Sequence, residues 1–137
     1  MNKTMCTLCG SELVHKDGKG ICTSCDFVVT PETNPPQITP TEAKNTLKTP
    51  HTVLLDVRTT EELTISHVDG AVHIPLQNLS KQFMQFSHRT TIIVMCRSGG
   101  RSHEAARFLQ QKGFTAINLT GGINRWAIEV DPSLRRY

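Results

Sequence analysis

Five cysteines carry most of the chemistry open to this sequence, and their spacing sorts them into two groups. Four form two close pairs, Cys6-Thr7-Leu8-Cys9 and Cys22-Thr23-Ser24-Cys25, with twelve residues between the pairs. Two C-x2-C pairs on tight turns offer four thiolates to one tetrahedral metal site. The fifth, Cys96, heads the stretch Cys96-Arg97-Ser98-Gly99-Gly100-Arg101-Ser102. It follows the β-branched run Thr91-Ile92-Ile93-Val94-Met95 and precedes a helical pattern over 103–112. A thiol between a strand end and a Gly-rich helix start sits where backbone N–H groups and the positive helix end favour negative charge. That field, with Arg97 and Arg101 beside it, favours the thiolate, which is the nucleophilic form. The sequence therefore offers a nucleophile in an anion cradle and, separately, a structural metal site.

The metal-binding expectation rests on residues 1–30. Between the cysteine pairs, Glu12-Leu13-Val14-His15 and Ile21 flank Lys16-Asp17-Gly18-Lys19-Gly20, and Asp-Gly is a hairpin signal. One β-hairpin would bring Cys6, Cys9, Cys22 and Cys25 together, and Phe27-Val28-Val29 could add a third strand. Gly10 supplies the permissive backbone of a cysteine turn. A segment this short needs the metal to fold. One structural zinc per chain is expected, with a four-sulfur iron site left open because geometry alone does not separate them. His15 reads as an exposed strand histidine rather than a ligand. This small module resembles a zinc ribbon. Residues 31–37, with Pro31, Pro35 and Pro36, read as an extended linker, and residues 38–137 as a second domain.

At 137 residues the chain has room for one domain with a small appendage. No run approaches the length of a membrane span, and Met1-Asn2-Lys3-Thr4 opens no signal peptide, so a cytoplasmic location is expected. The net charge is −1 over residues 1–36 and +4 over 37–137. The second segment therefore suits small anions. It has no dense basic stripe with interleaved aromatics, so nucleic acid is not an expected partner.

The elements that must position Cys96 alternate between strand and helix. Thr39-Pro40-Thr41-Glu42 starts a helix that runs on to residue 48. Thr52-Val53-Leu54-Leu55-Asp56-Val57 is a strand apolar on both faces. Residues 61–67 read as a short helix, and Ala71-Val72-His73-Ile74 as a strand stopped by Pro75. Residues 76–86 carry helical spacing in Leu76, Leu79, Phe83 and Phe86. Ser102 is a candidate cap for the next helix, which Gly113 ends. Ala116-Ile117-Asn118-Leu119 is a last strand, and Gly121-Gly122 turns into a final helix over 123–129. This pattern predicts an α/β fold, an open and mostly parallel sheet with helices on both faces. Ligands of such sheets sit at the carboxyl ends of strands, where Cys96 falls.

Residues 38–129 resemble the rhodanese domain, the sulfurtransferase fold. Three blocks carry the resemblance. The first is Leu54-Leu55-Asp56-Val57-Arg58 with Glu61-Glu62-Leu63 and His67-Val68-Asp69-Gly70-Ala71-Val72-His73-Ile74-Pro75. The second runs from Cys96 to Ser102. The third is Gly113-Phe114 with Asn118-Leu119-Thr120-Gly121-Gly122 and Trp126. Ser66 and Asp69 depart from the family pattern at a glycine and a proline, outside the cysteine loop.

The resemblance implies an enzyme that moves sulfane sulfur from a donor such as thiosulfate, through a persulfide on Cys96, to a nucleophilic acceptor such as cyanide or a thiol. The residues agree. A thiolate attacks sulfur well, and covalent capture splits the transfer into two steps. Loop amides from Arg97 to Ser102, with Ser98, Gly99 and Gly100 between, suit an anionic persulfide. Arg97 reads as the contact for an anionic donor. Arg101 reads as turned inward onto a carboxylate, with Glu62 the candidate. Asp56 and Arg58 read as structural, and so do His67 and His73. Trp126 and Phe114 read as core or rim. Two other functions compete with this one. A cysteine phosphatase or arsenate reductase would need a longer loop than the four residues between Cys96 and Arg101. A non-catalytic module that docks a protein partner through the zinc ribbon would not need Cys96.

Overall fold

Alternation along one central strand explains both layers of the core. In the computed structural model, which describes residues 6, 11–16, 19–22, 28–29 and 35–137, Ile92 and Val94 face one side of the sheet and Ile93 and Met95 the other. Each side needs its own cover, because a strand's side chains point alternately to opposite faces.

The chain forms a short three-stranded antiparallel sheet and a five-stranded parallel one. In the first, β1 (Leu13–Lys16) pairs with β2 (Lys19–Cys22), and β2 pairs with β3 (Val28–Val29). The second contains β4 (Gln37–Ile38), β5 (Thr52–Asp56), β6 (Val72–His73), β7 (Thr91–Met95) and β8 (Thr115–Leu119). Its spatial order is β4-β8-β7-β5-β6, every pair parallel. Helix α1 (Pro40–Thr46) and helix α5 (Gly122–Glu129) cover one face, where Ala43, Leu54, Ile93, Met95, Leu119, Ile123 and Trp126 are buried together. Helix α4 (Gly100–Gln111) packs on the other face through Ala105, Ala106, Phe108 and Leu109, joined by Leu79 of α3 (Leu79–Gln82). Cys6, Leu13 and Cys22 belong to that second buried cluster. Among the described residues, no helix is long and apolar enough to cross a membrane.

Several boundaries differ from the sequence reading. Gln37 belongs to the sheet rather than to the linker: with Ile38 it pairs with Asn118 and Leu119, and the Pro36 carbonyl accepts from the Asn118 N–H at 2.9 Å. The helix expected over 61–67 is one turn, α2 (Thr60–Leu63), closed at its start by a reciprocal cap between Thr59 and Glu62. It stops early because the Ser66 carbonyl is drawn onto the Arg58 guanidinium at 2.8 Å. The apolar spacing over 76–86 gives no continuous helix. A 3-10 turn, the four residues of α3 and a second 3-10 turn follow one another. Ser102 does not cap α4. The helix begins earlier, at Gly100, with Gly99 at the cap position in the left-handed region (φ 116°).

Candidate active site

The site stands at the carboxyl ends of β5 and β7, adjacent parallel strands in which Asp56 is level with Met95. Cys96 is the next residue after β7, and its side chain is buried at 1% exposure. The Gly99 N–H donates to its sulfur at 3.1 Å, and the Ser102 hydroxyl lies 3.4 Å from it. Burial alone would raise the thiol's pKa. Hydrogen bonds from the Ser102 hydroxyl and from the Ser102, Gly99 and Ser98 N–H groups outweigh burial and bring the thiol below its usual range. The cradle expected from the sequence is thus built by the first turn of α4 and the loop before it. Its hydrogen bonds, more than the arginines, favour the thiolate.

Four contacts, two from Asn118 and two from the start of α5, fix the loop from outside. Asn118, buried in β8, donates from its amide to the Gly99 carbonyl at 3.1 Å and to Gln37 Oε1 at 3.2 Å. Its own oxygen accepts from the Ser102 hydroxyl at 2.5 Å. The start of α5 grips the other side: the Ile123 N–H donates to the Cys96 carbonyl at 2.9 Å and the Asn124 N–H to the Arg97 carbonyl at 3.2 Å. This approach requires glycine at 122. A Cβ there would lie 2.5 Å from the Cys96 and Arg97 carbonyl oxygens, and the residue has φ 59°.

The arginines have different stations. Arg101 forms a two-pronged pair with Glu62, at 2.5 Å to Oε1 and 2.9 Å to Oε2. This pair, against the cost of burial, holds the Glu62 carboxyl well below the usual carboxylate range and keeps Arg101 charged. Arg97 is exposed, and its guanidinium lies 4.8 Å from the centre of the Tyr137 ring. Arg58 is fully buried. It meets Asp56 at 2.8 Å through Nη2, with Nε also donating to the same carboxylate. Asp56 accepts from the Arg58 N–H at 3.0 Å as well. His73 bonds the Arg58 carbonyl at 2.7 Å, and His67 lies exposed beside Asp69. Ser98 and Gly100 complete the rim of the loop.

Sequence reasoning gave no role to Asn118 or Tyr137. A polar residue inside the apolar run Ala116-Ile117-Asn118-Leu119 was the available signal for the first. For Tyr137 there was none. The Tyr137 hydroxyl accepts from Arg58 Nη1 at 3.0 Å and donates to Glu62. Burial and the bond to Glu62 hold the phenol above its usual range, outweighing Arg58.

Of the expected metal ligands, Cys6 and Cys22 are buried, while Cys9 and Cys25 lie outside the described residues. Among the described residues, no group of three or more potential ligands converges.

A parallel sheet with a buried cysteine in a helix-start cradle, and an arginine of that loop clamped by a carboxylate, defines a class of protein. The chain belongs to the rhodanese-like domain family, whose model matches residues 39–129. It is 39% identical over 74 residues to the putative sulfur carrier protein YrkF of Bacillus subtilis, covering 53% of this chain and 40% of YrkF. It is 37% identical over 86 residues to thiosulfate sulfurtransferase 16 of Arabidopsis thaliana, covering 53% of this chain and 72% of that protein. The crystal structure of a rhodanese-like domain protein from Staphylococcus aureus superimposes with a TM-score of 0.65 at 28% identity, over 74% of this chain and 98% of that one. The chain spans less than half the length of several curated relatives, 26% in the case of MoeZ of Mycobacterium tuberculosis.

Proposed function

We propose that the protein is a sulfurtransferase that carries sulfane sulfur on Cys96. The observation that carries this reading is the buried sulfur facing hydrogen-bond donors from one short loop. With thiosulfate as donor, the Cys96 thiolate attacks the outer sulfur. A new S–S bond forms, the old one breaks, and sulfite leaves with that bond's electron pair. The product is a persulfide anion whose charge the Gly99, Ser98 and Ser102 donors can solvate. A cyanide or thiolate acceptor then attacks the terminal sulfur and returns Cys96 to the thiolate. Arg97, exposed and next in the chain to Cys96, suits an anionic donor. Engagement of Arg101 by Glu62 weighs against a phosphatase, since that arginine is held by a carboxylate already. The relatives named as sulfur carrier and sulfurtransferase support the reading. Incubation with thiosulfate should add the mass of one sulfur to the peptide containing Cys96, and cyanide should remove it as thiocyanate. Thiocyanate production by a Cys96→Ser variant, or hydrolysis of aryl phosphates without any sulfur loading, would overturn the proposal.

The reading includes one structural zinc held by Cys6, Cys9, Cys22 and Cys25, in a ribbon available to a protein partner that supplies or accepts sulfur. Two features support it. The Cys6 N–H donates to the Ser11 carbonyl at 2.6 Å, just before β1, and Cys22 is level with Leu13 across the hairpin. The leading cysteine of each pair is therefore brought to one end of the hairpin, and both are shielded from water. When bound, the metal would staple a segment too small to bury its own core and would take no part in sulfur transfer. Metal analysis of protein purified without chelator should find one zinc per chain. Iron in its place, or no metal, would refute the assignment.

A further inference from the structure

Tyr137 lies 41 residues from Cys96 in sequence and is the chain's single tyrosine, yet it touches most of the charged groups around the loop. Asn124 of α5 holds its backbone by two bonds, donating to the Tyr137 carbonyl at 3.1 Å and accepting from its N–H at 3.4 Å. Its hydroxyl is fixed between Arg58 and Glu62. Its ring faces the Arg97 guanidinium at 4.8 Å, within the range of a cation–π contact. Arg97 is an exposed side chain, and a free arginine on a loop samples many rotamers. Among the described residues, the ring that meets its guanidinium is Tyr137, itself anchored by Asn124, Arg58 and Glu62.

We propose that Tyr137 is a positioning residue that holds the Arg97 guanidinium at the mouth of the cysteine loop and so favours anionic sulfur donors over neutral ones. This rests on the reading of Arg97 as the donor contact. The ring supplies the hold, and the hydroxyl supplies the ring's own orientation through Glu62, the carboxylate that also clamps Arg101. One aromatic side chain thereby sets both arginines of the loop relative to the thiol. A guanidinium kept in place binds an anion without first losing its rotamer freedom, which is preorganisation in the ordinary sense.

Kinetics with two donors test this. Thiosulfate is the anionic donor and a neutral dialkyl trisulfide the other. Tyr137→Leu removes the ring and should raise KM for thiosulfate roughly two- to fivefold, the range of an exposed cation–π contact, with little change in kcat. KM for the trisulfide should stay put. Tyr137→Phe keeps the ring and should lie closer to wild type than Tyr137→Leu. In an Arg97→Gln background, Tyr137→Leu should add nothing further, because the partner it positions is gone. Equal effects on both donors, a loss confined to kcat, or additive effects in the double variant would overturn the proposal. Equilibrium binding of thiosulfate to Cys96→Ser protein, with and without Tyr137→Leu, reads the same contact without any turnover. A wild type that binds thiosulfate through Arg97 and Tyr137 but never loads sulfur would sink the sulfurtransferase reading and leave this one standing. Loading that is indifferent to Tyr137 would do the reverse.

Discussion

Ser102→Ala tests how the thiolate is held. The Ser102 hydroxyl has one hydrogen and two acceptors, Cys96 Sγ at 3.4 Å and Asn118 Oδ1 at 2.5 Å. The Asn118 amide donates to Gly99 and Gln37, which fixes its oxygen toward Ser102. The hydroxyl is therefore shared, and its hold on the sulfur belongs at the weak end of hydrogen bonds to charged groups, about 1.5 kcal/mol. That corresponds to roughly one pKa unit. Removing it should move the Cys96 midpoint up and slow alkylation by up to about tenfold at pH values below that midpoint, because less thiolate is present there. The assay is the rate of iodoacetamide labelling against pH, followed on the peptide containing Cys96 so that the other four cysteines do not interfere. Stability should fall too, since Asn118 loses a buried partner at a cost of about 1–3 kcal/mol. An unchanged midpoint in a folded variant would show that the Gly99, Ser98 and Ser102 amides alone set the thiolate, and the argument from the hydroxyl would fail.

Three further outcomes follow from the same geometry. Arg58→Met leaves Asp56 charged and unpaired at 1% exposure, so urea unfolding should report a loss of about 3–5 kcal/mol; a neutral effect would mean that water reaches the carboxylate. Gly122→Ala places a Cβ 2.5 Å from the carbonyl oxygens of Cys96 and Arg97 at φ 59°, costing at least about 1–2 kcal/mol and slowing sulfur loading of Cys96, whereas wild-type loading would show that the loop can retreat. Glu62 has a folded pKa below its unfolded one, so its contribution is fully present above the unfolded carboxylate pKa of about 4.3 and is lost as pH falls below it toward the folded value. The melting-temperature gap between wild type and Glu62→Gln should be flat above about pH 5.5 and narrow in stronger acid, and a gap that widens there would contradict the clamp.

The order of elements was legible because apolar period distinguishes strand from helix, as in Thr52–Asp56 and Thr91–Met95. The cysteine loop was legible because glycine, arginine and thiol in one short run have few other uses. Boundaries were less so. Tertiary contacts, not propensity, stop α2 where Arg58 captures the Ser66 carbonyl, and the apolar spacing over 76–86 serves packing as well in broken turns as in a helix. Ser102 misled for a physical reason. Serine near a helix start is usually a cap, but here the sulfur and Asn118 compete for its hydroxyl. Asn118 showed only as a polar residue in an apolar strand and Tyr137 left no local mark, because their partners are fixed only when β8 and the segment after α5 come back to the loop.

The grip of α5 on the cysteine loop has a bearing on when the protein becomes reactive. The Ile123 and Asn124 N–H groups that hold the Cys96 and Arg97 carbonyls come from α5, the helix that follows β8. A nascent or partly unfolded chain that has made β7 and α4 but not yet docked α5 lacks these bonds. Its cysteine faces solvent with a less ordered ring of amides and should behave more like an ordinary thiol. Full reactivity at Cys96 should therefore arrive only with completion of the fold, when the last helix docks against the loop.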